Sequence, residues 1–268
     1  MGCPQRPKSC STEEGVNVSD GILVTECEGV LEIIIDRPDQ KNALTTAMYN
    51  QITSALRDAE TRGDIGAVLI GARGDAFCAG NDLKDFMAGP AGMDAALEFV
   101  GTIVAFGKPI VAAVQGIAVG VGATMLFHCD LVYASTDARF IMPFVNLGLL
   151  PEAGSSLLAP MILGHAKASA MLLLGEPMNA EAADRAGFVT AVIAAEDLLE
   201  HARSKAIALV KQPPMALQTT RRLLRGDRQP LEARIAEETH HFREALKSAE
   251  AQEAFTAFFE RRPPIFKR

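Results

Sequence analysis

The sequence predicts an α/β fold with largely parallel strands and a helical annex in its second half. Three observations carry this. Short β-rich runs alternate with helix-patterned segments through the first half, apolar runs end in Gly-punctuated loops, and from Ser155 onward the pattern is almost entirely helical. With 49% hydrophobic and 22% charged residues over 268 positions, the chain can bury a large core and still retain apolar surface for subunit contacts.

Residues Ile22 to Glu26 and Val30 to Ile35 read as two strands of a hairpin turning at Glu28-Gly29. RPDQKNAL then makes a Pro-containing turn. Thr45 to Glu60 carries apolar residues at helical spacing (Met48, Ile52, Leu56, Ala59 among them) with Thr45 as its N-cap. Ala67 to Ile70 reads as a buried strand. Ile110 to Val114 is another strand, followed by the Gly loop QGIAVGVG, a helix over Ala123 to His128 and a strand over Leu131 to Ala134. The helical half is punctuated at Gly164, Gly175, Gly187, Pro213-Pro214, Gly226 and Pro230, and its last helix runs from about Glu250 to Glu260. No repeat or linker interrupts the chain. The expected division is a flexible start over residues 1–18, a core over 19–205 and a C-terminal helical region over 206–268.

Composition excludes several function classes. With 33 acidic against 26 basic residues, the charge footprint of a nucleic-acid binder is missing. Cys3, Cys10, Cys27, Cys78 and Cys129 form no CxxC pair, so neither a disulfide framework nor a zinc ribbon is expected, and the compartment reads as reducing. The start MGCPQRPKSCSTEEG lacks the apolar run of a signal peptide, and Arg6 stands where a myristoylation motif needs Ser or Thr. Lys, Asp, Gln or His interrupts every apolar run short of a membrane span. The expectation is a cytoplasmic protein that binds neither nucleic acid nor membrane.

Gly116, Gly120 and Gly122 follow a strand and precede a helix, which invites a dinucleotide-binding reading. The spacing is G-x3-G-x-G rather than G-x-G-x-x-G, and Asp130 would open the next strand instead of closing it, so that reading fails. Small residues at a helix start still let backbone N–H groups face open space, where an anion or a developing oxyanion is favoured. Ala79-Gly80-Asn81-Asp82 has the same character. Two N–H groups aimed at one carbonyl oxygen would acidify the α-proton by stabilising the enolate. Taken singly, each segment also reads as an ordinary tight turn.

Three segments occur in order: FCAGNDLKDF, AVQGIAVGVGATMLFHCDLVYAS and ARFIMPFVNLGLLPEAGSS. Together they resemble the crotonase (enoyl-CoA hydratase/isomerase) superfamily, and the ending EAFTAFFERRPPIF is similar to the family's C-terminal helix. The resemblance runs from about Gly21 to Phe266. It implies a crotonase-like spiral of ββα units with a C-terminal helical oligomerisation region, assembled as a homotrimer or hexamer. It also implies an acyl-CoA substrate, coenzyme A entering as part of that substrate, with no separate cofactor and no metal.

By the same resemblance, the backbone N–H groups that hold the thioester oxygen match Asn81 and Val121, with Gly120 beside the second. Val121 stands where many relatives have glycine. The two glutamates that serve family hydratases correspond to Thr124 and Phe144, neither of which does acid–base work at neutral pH. PFVNLGLLPEAGSS and GNDL resemble instead the peroxisomal-type Δ3,Δ2-enoyl-CoA isomerase branch, which puts the single base at Glu152. Isomerisation needs one carboxylate that moves a proton between C2 and C4, and no activated water. Pro151-Glu152 also reads simply as a helix opening with an acid in the first turn. Apolar neighbours would raise the proton affinity of Glu152 and a helix terminus would lower it.

The resemblance places Lys41, Ala43 and Leu44, together with Ala79, Gly80, Asp82, Leu83 and Lys84, along the coenzyme A moiety, with Lys41 or Lys84 facing phosphate. Both lysines read equally as solvated surface charges. Phe255, Phe258 and Phe259 either close the acyl pocket of their own or a neighbouring subunit, or simply pack a helix. Glu237-x-x-His240 and Glu238-x-x-His241 mimic one arm of a carboxylate-bridged metal site, but no second arm exists and an exposed helix face explains them. Ser155 and Ser156 lack a G-x-S-x-G elbow, and Cys78 lacks a paired histidine. The sequence therefore points to an acyl-CoA enzyme, foremost a Δ3,Δ2-enoyl-CoA isomerase. Other crotonase chemistry (hydration or hydrolysis) and a non-catalytic acyl-CoA-binding subunit are the alternatives, and a peroxisomal address of the SKL type is lacking at Phe266-Lys267-Arg268.

Overall fold

The computed structural model describes residues 17–19, 21–87 and 90–266. Strands β1 (Asn17–Ser19), β2 (Ile22–Cys27) and β3 (Val30–Ile35) run antiparallel, the β2–β3 turn being made by Glu28 and Gly29, both at positive φ (47° and 79°). That is the hairpin expected from Glu28-Gly29. Helix α1 (Thr46–Thr61) follows, with the Thr45 hydroxyl accepting from Met48 N–H as its cap. Its apolar stripe, Met48, Ile52, Leu56 and Ala59, is fully buried.

Strand β4 (Ala67–Ala72), helices α2 (Leu83–Met87) and α3 (Pro90–Ala105), and strand β5 (Ile110–Val114) come next. Then β6 (Ile117–Val119) leads into a single turn of helix, α4 (Val121–Thr124), continued as a 3-10 turn over Met125–His128. Strands β7 (Leu131–Ser135) and β8 (Arg139–Ile141) precede a 3-10 turn at Val145–Leu147. The remainder is α5 (Ser155–Leu163), α6 (His165–Leu174), β9 (Met178–Asn179), α7 (Ala180–Arg185), β10 (Ala191–Ile193), α8 (Leu198–Val210), α9 (Pro214–Arg225), α10 (Gln229–Ala245) and α11 (Ala249–Glu260).

Seven strands form one sheet in the order β1-β2-β3-β4-β5-β7-β10, parallel from β3 onward, and β6-β8-β9 form a second, smaller sheet. The large sheet is covered on both faces, as parallel sheets require. One face (Leu31, Ile33, Ile35, Val68, Ile70) joins the main core under α1 and α3. The other (Val30, Ala67, Leu69, Val111, Tyr133) packs on Leu198, Ala202 and Ala206 of α8. Glu32, buried in β3, is held there by the Arg203 guanidinium of α8 at 2.9 Å.

Several expectations are corrected. The Gly loop QGIAVGVG contains β6, and the helical half contains β9 and β10, because strands of two or three residues leave no periodic signal. The helix expected at Ala123 begins at Val121 and changes to 3-10 winding at Met125. Residue 205, the expected end of the core, falls within α8, whose Ala202 and Ala206 pack on the sheet. Residues 17 and 18 belong to β1; the rest of the expected flexible start, residues 1–16, lies outside the described residues. Cys27 is disulfide-bonded, contrary to the expectation from spacing. No helix among the described residues is long and apolar enough to cross a membrane.

Candidate active site

A cavity of about 750 Å³ opens where the loop after β4, the start of α4, the turn before α5 and the C-terminal helices converge. Loop geometry follows from glycine. Gly80 (φ 93°) adopts a backbone that disfavours a side chain, and a Cβ there would crowd the Val119 carbonyl oxygen at 3.1 Å. A Cβ on Gly122 would lie 2.7 Å from the Cys78 carbonyl oxygen. The two loops can approach this closely only because both positions lack a side chain. Their contact is completed by a parallel bridge between Cys78 and Ala118, in which Val119 N–H donates to the Cys78 carbonyl at 2.8 Å.

The outer side of the first loop is held by Leu44. Its N–H donates to the Gly80 carbonyl and its carbonyl accepts from Asp82 N–H, both at 2.8 Å. In such a bridge the intervening residue, Asn81, turns its own N–H to the opposite side. Neither Asn81 N–H nor Val121 N–H donates to an acceptor among the described residues. Gly120, at φ 54° and ψ −120°, aims the start of α4, where Val121 N–H is one of the unpaired donors of a helix N-terminus. Both residues line the cavity.

Glu152 lines the same cavity, half-buried beside Phe144 and Leu149. Its carboxylate accepts a hydrogen bond from the Thr124 hydroxyl of α4. Burial pushes its pKa up to about 7, the Thr124 hydrogen bond works against that rise, and the negative charge of Glu238 adds to it. The turn that presents it is left-handed at Ala153 (φ 55°) and Gly154 (φ 72°). His128 Nε2–H donates to the Ala153 carbonyl at 2.8 Å, and burial lowers the pKa of that imidazole to about 4, leaving it neutral.

Of the other sequence-predicted residues, Ala43, Ala79, Gly80, Asp82, Leu83, Lys84 and Gly120 line the cavity. Asp82 is not a free base. Burial would raise its pKa, but the Arg37 guanidinium at 2.8 Å and the Asp85 and Lys84 N–H groups hold it below the ordinary range. Lys41 lies away from the cavity with its ammonium on Asp75, and Leu44 is buried and acts through its backbone. Phe255, Phe258 and Phe259 of α11, with Thr239 and Phe242 of α10, line the cavity of their own chain, Phe258 and Phe259 remaining exposed. The C-terminal region is thus part of the site.

Two residues escaped the sequence reading and a third, Glu238, was expected on an exposed face. Tyr49 of α1 lines the cavity and donates its phenolic hydrogen to Asn81 Oδ1 at 2.5 Å. Burial raises its pKa well above the ordinary value, so it remains a donor. Arg37 reaches the cavity through Asp82 and the Ala43 carbonyl. Glu238 is buried rather than on an exposed face, because it caps the N-terminus of α5. A helical residue with a polar side chain at an otherwise apolar position was the available signal for Tyr49. No group of metal-ligating side chains occurs among the described residues.

The family model described as "Enoyl-CoA hydratase/isomerase" matches residues 25–268. The chain is 38% identical over 256 residues to "Enoyl-CoA delta isomerase 2" of Rattus norvegicus, covering 92% of this chain and 65% of the rat protein. It thus spans about two thirds of that relative's length. It is 35% identical to a "Probable enoyl-CoA hydratase" of Rhodobacter capsulatus, covering 89% of this chain and 95% of the other. Among solved structures, an enoyl-CoA hydratase/isomerase from Pseudoalteromonas atlantica superposes with a TM-score of 0.87 at 40% identity, covering 92% of this chain and all of that one.

Proposed function

Because the chain belongs to the enoyl-CoA hydratase/isomerase family, the crotonase superfamily, we propose that it is a Δ3,Δ2-enoyl-CoA isomerase with Glu152 as its only proton carrier. The observation that carries the reading is the pair of cavity carboxylates. Among the described residues only Asp82 and Glu152 line the cavity as acids, and Asp82 is tied to Arg37 while Glu152 is poised near neutrality. Thr124 and Phe144, at the positions that the family's hydratases fill with glutamates, supply a hydroxyl and an apolar wall.

In this reading the thioester oxygen of a 3-enoyl-CoA accepts hydrogen bonds from Asn81 and Val121 N–H. Charge developing on that oxygen is stabilised as the C2 proton leaves. Glu152 takes that proton, the electron pair spreads over a dienolate, and the same carboxyl returns the proton to C4, leaving the double bond between C2 and C3. Mass is unchanged. Tyr49 holds the Asn81 side chain and with it the first donor. The apolar wall of Phe144, Leu149, Phe242 and Phe255 keeps water from the dienolate and suits an aliphatic acyl chain. Ala43, Ala79, Gly80, Asp82, Leu83 and Lys84 would run beside the pantetheine, with Lys84 at the exposed mouth.

Assembly as a trimer or a pair of trimers belongs to the same proposal. It is supported by large apolar side chains left exposed on α9, Met215, Leu223 and Leu224 at 81%, 72% and 83%, and sedimentation velocity tests it. A cytoplasmic location is proposed with it and is tested by fractionation.

The deciding experiment supplies trans-3-enoyl-CoA and trans-2-enoyl-CoA separately and follows products by chromatography and mass. Conversion of the first to the second without mass gain is expected, with loss of about two to four orders of magnitude in Glu152→Gln. Gain of one water from the 2-enoyl substrate would replace isomerisation by hydration. Binding without either reaction, and without proton exchange at C2, would make the chain an acyl-CoA-binding subunit.

A further inference from the structure

Glu152 is presented by a turn with an unfavourable conformation. Ala153 is left-handed at φ 55°, a region that disfavours residues carrying a Cβ, and Gly154 follows at φ 72°. Such a turn persists only where its surroundings over-determine it. On one side His128 Nε2–H holds the Ala153 carbonyl. On the other, the N-terminal N–H groups of α5 have no cap from their own N-cap residue, Gly154. Their acceptor is Glu238, 84 residues along the chain on α10, which takes Gly154 N–H at 2.6 Å, Ser156 N–H at 2.9 Å and the Ser156 hydroxyl at 2.5 Å.

We infer that Glu238 is a positioning residue for the Glu152 reaction: its buried carboxylate locks the turn that carries Glu152 and brings a second acid near it. The inference rests on the proposed role of Glu152 but reaches further, since it assigns to the C-terminal helices a part in the proton chemistry. Glu238 does not line the cavity, so it acts through Glu152 and touches no substrate.

The groups around the pair are few. Glu152 accepts from the Thr124 hydroxyl and interacts electrostatically with the buried Tyr49 phenol and with Glu238. Glu238 faces Ser156, whose hydroxyl also accepts from Arg234 Nη1 at 3.2 Å, while the Arg234 guanidinium pairs with Glu237 at 3.1 Å. His128, behind Ala153, is neutral, and Arg225 donates to its backbone carbonyl. Among the described residues no cation forms an ion pair with Glu238; its carboxylate is held by N–H and O–H donors at the start of α5, with Arg234 one hydroxyl away. In a poorly solvated site one carboxylate disfavours the charge of a second nearby. Glu152 consequently holds its proton more tightly with Glu238 present, as a group that must both take and return a proton requires.

The test uses the full chain and two readouts. Glu152 is titrated in substrate-free protein by infrared difference spectroscopy of its carboxyl, assigned by its disappearance in Glu152→Gln, and the acid limb of kcat for 3-enoyl-CoA is measured beside it. In Glu238→Gln the Glu152 midpoint is expected to fall below its wild-type value. The acid limb of kcat falls with it, and kcat drops more than KM changes. A merely structural role would lower stability and leave the midpoint in place, and an unmoved midpoint overturns the inference. A moved midpoint in a protein that does not isomerise would keep the inference and reject the function. Ser156→Ala keeps the Glu238 charge and removes one donor, so it serves even where Glu238→Gln does not fold. It is expected to lower kcat about threefold to tenfold, the worth of one hydrogen bond, with the acid limb in place. Wild-type kcat in Ser156→Ala, or an acid limb that drops there, overturns the inference as well.

Discussion

Replacing Glu152 by glutamine removes the group proposed to move the proton, and the structure predicts that it also stabilises the protein above neutral pH. A carboxyl whose pKa rises from the ordinary 4.5 to about 7 on folding binds its proton more tightly in the folded state. It contributes stability that is fully present below pH 4.5 and is lost as pH rises through 7. At 1.36 kcal/mol per pH unit, that interval amounts to about 3 kcal/mol. Glutamine is neutral throughout and its carbonyl still accepts from Thr124, so the variant escapes the loss. In the wild type alone the effect is masked. His128, with its pKa lowered from 6.5 to about 4, binds its proton more weakly when folded and destabilises in the opposite sense, as pH falls from 6.5 to 4. The assay is therefore urea denaturation of wild type and Glu152→Gln side by side at pH 4.5 and pH 8.5. Near-equal stability at the lower pH and an advantage to the variant of about 3 kcal/mol at the higher is expected. A variant no more stable than wild type at pH 8.5 would show that the site does not disfavour the charge, and the argument for a base poised near neutrality would fail.

His128→Gln keeps a donor for the Ala153 carbonyl but cannot protonate, so between pH 6.5 and 4 it should lose about 3 kcal/mol less stability than wild type in the same denaturation series. Tyr49→Phe leaves the ring packed at 5.5 Å from Phe99 but frees the Asn81 side chain, and should lower kcat for 3-enoyl-CoA about tenfold with the fold intact by circular dichroism. Unchanged kcat would mean that the Asn81 side chain needs no anchor. Gly122→Ala sets a Cβ 2.7 Å from the Cys78 carbonyl oxygen and forces the two donor loops apart, at a cost of about 1–3 kcal/mol by denaturation together with loss of turnover.

The alternation of strand and helix patterns, the Glu28-Gly29 turn, the Thr45 cap and the buried stripe of α1 were legible in the chain because each is a local feature with its own period or residue type. So were the Gly-rich segments carrying Asn81 and Val121, and the PFVNLGLLPEAGSS stretch carrying Glu152. Strands β6, β9 and β10 were not, since two or three residues acquire strand character only from the partner they meet. Motif and resemblance did not separate a lysine beside a ligand from one on the surface, and the fold put Lys41 on Asp75 while bringing Arg37 to the cavity.

Tertiary structure alone decided three matters of chemistry. The sequence named Glu152 and set apolar burial against a helix terminus; in the fold α5 starts at Ser155, and burial raises the carboxyl pKa against an opposing Thr124 hydrogen bond, because proton affinity depends on what surrounds a carboxyl and not on its neighbours along the chain. Phe255 was readable as an aromatic on a helix, whereas its place over its own cavity followed from α10 and α11 folding back on the core. Glu238 looked like one of several acids on a charged helix. A contact spanning 84 residues made it a buried cap of the turn behind Glu152, and no local pattern records a partner that distant.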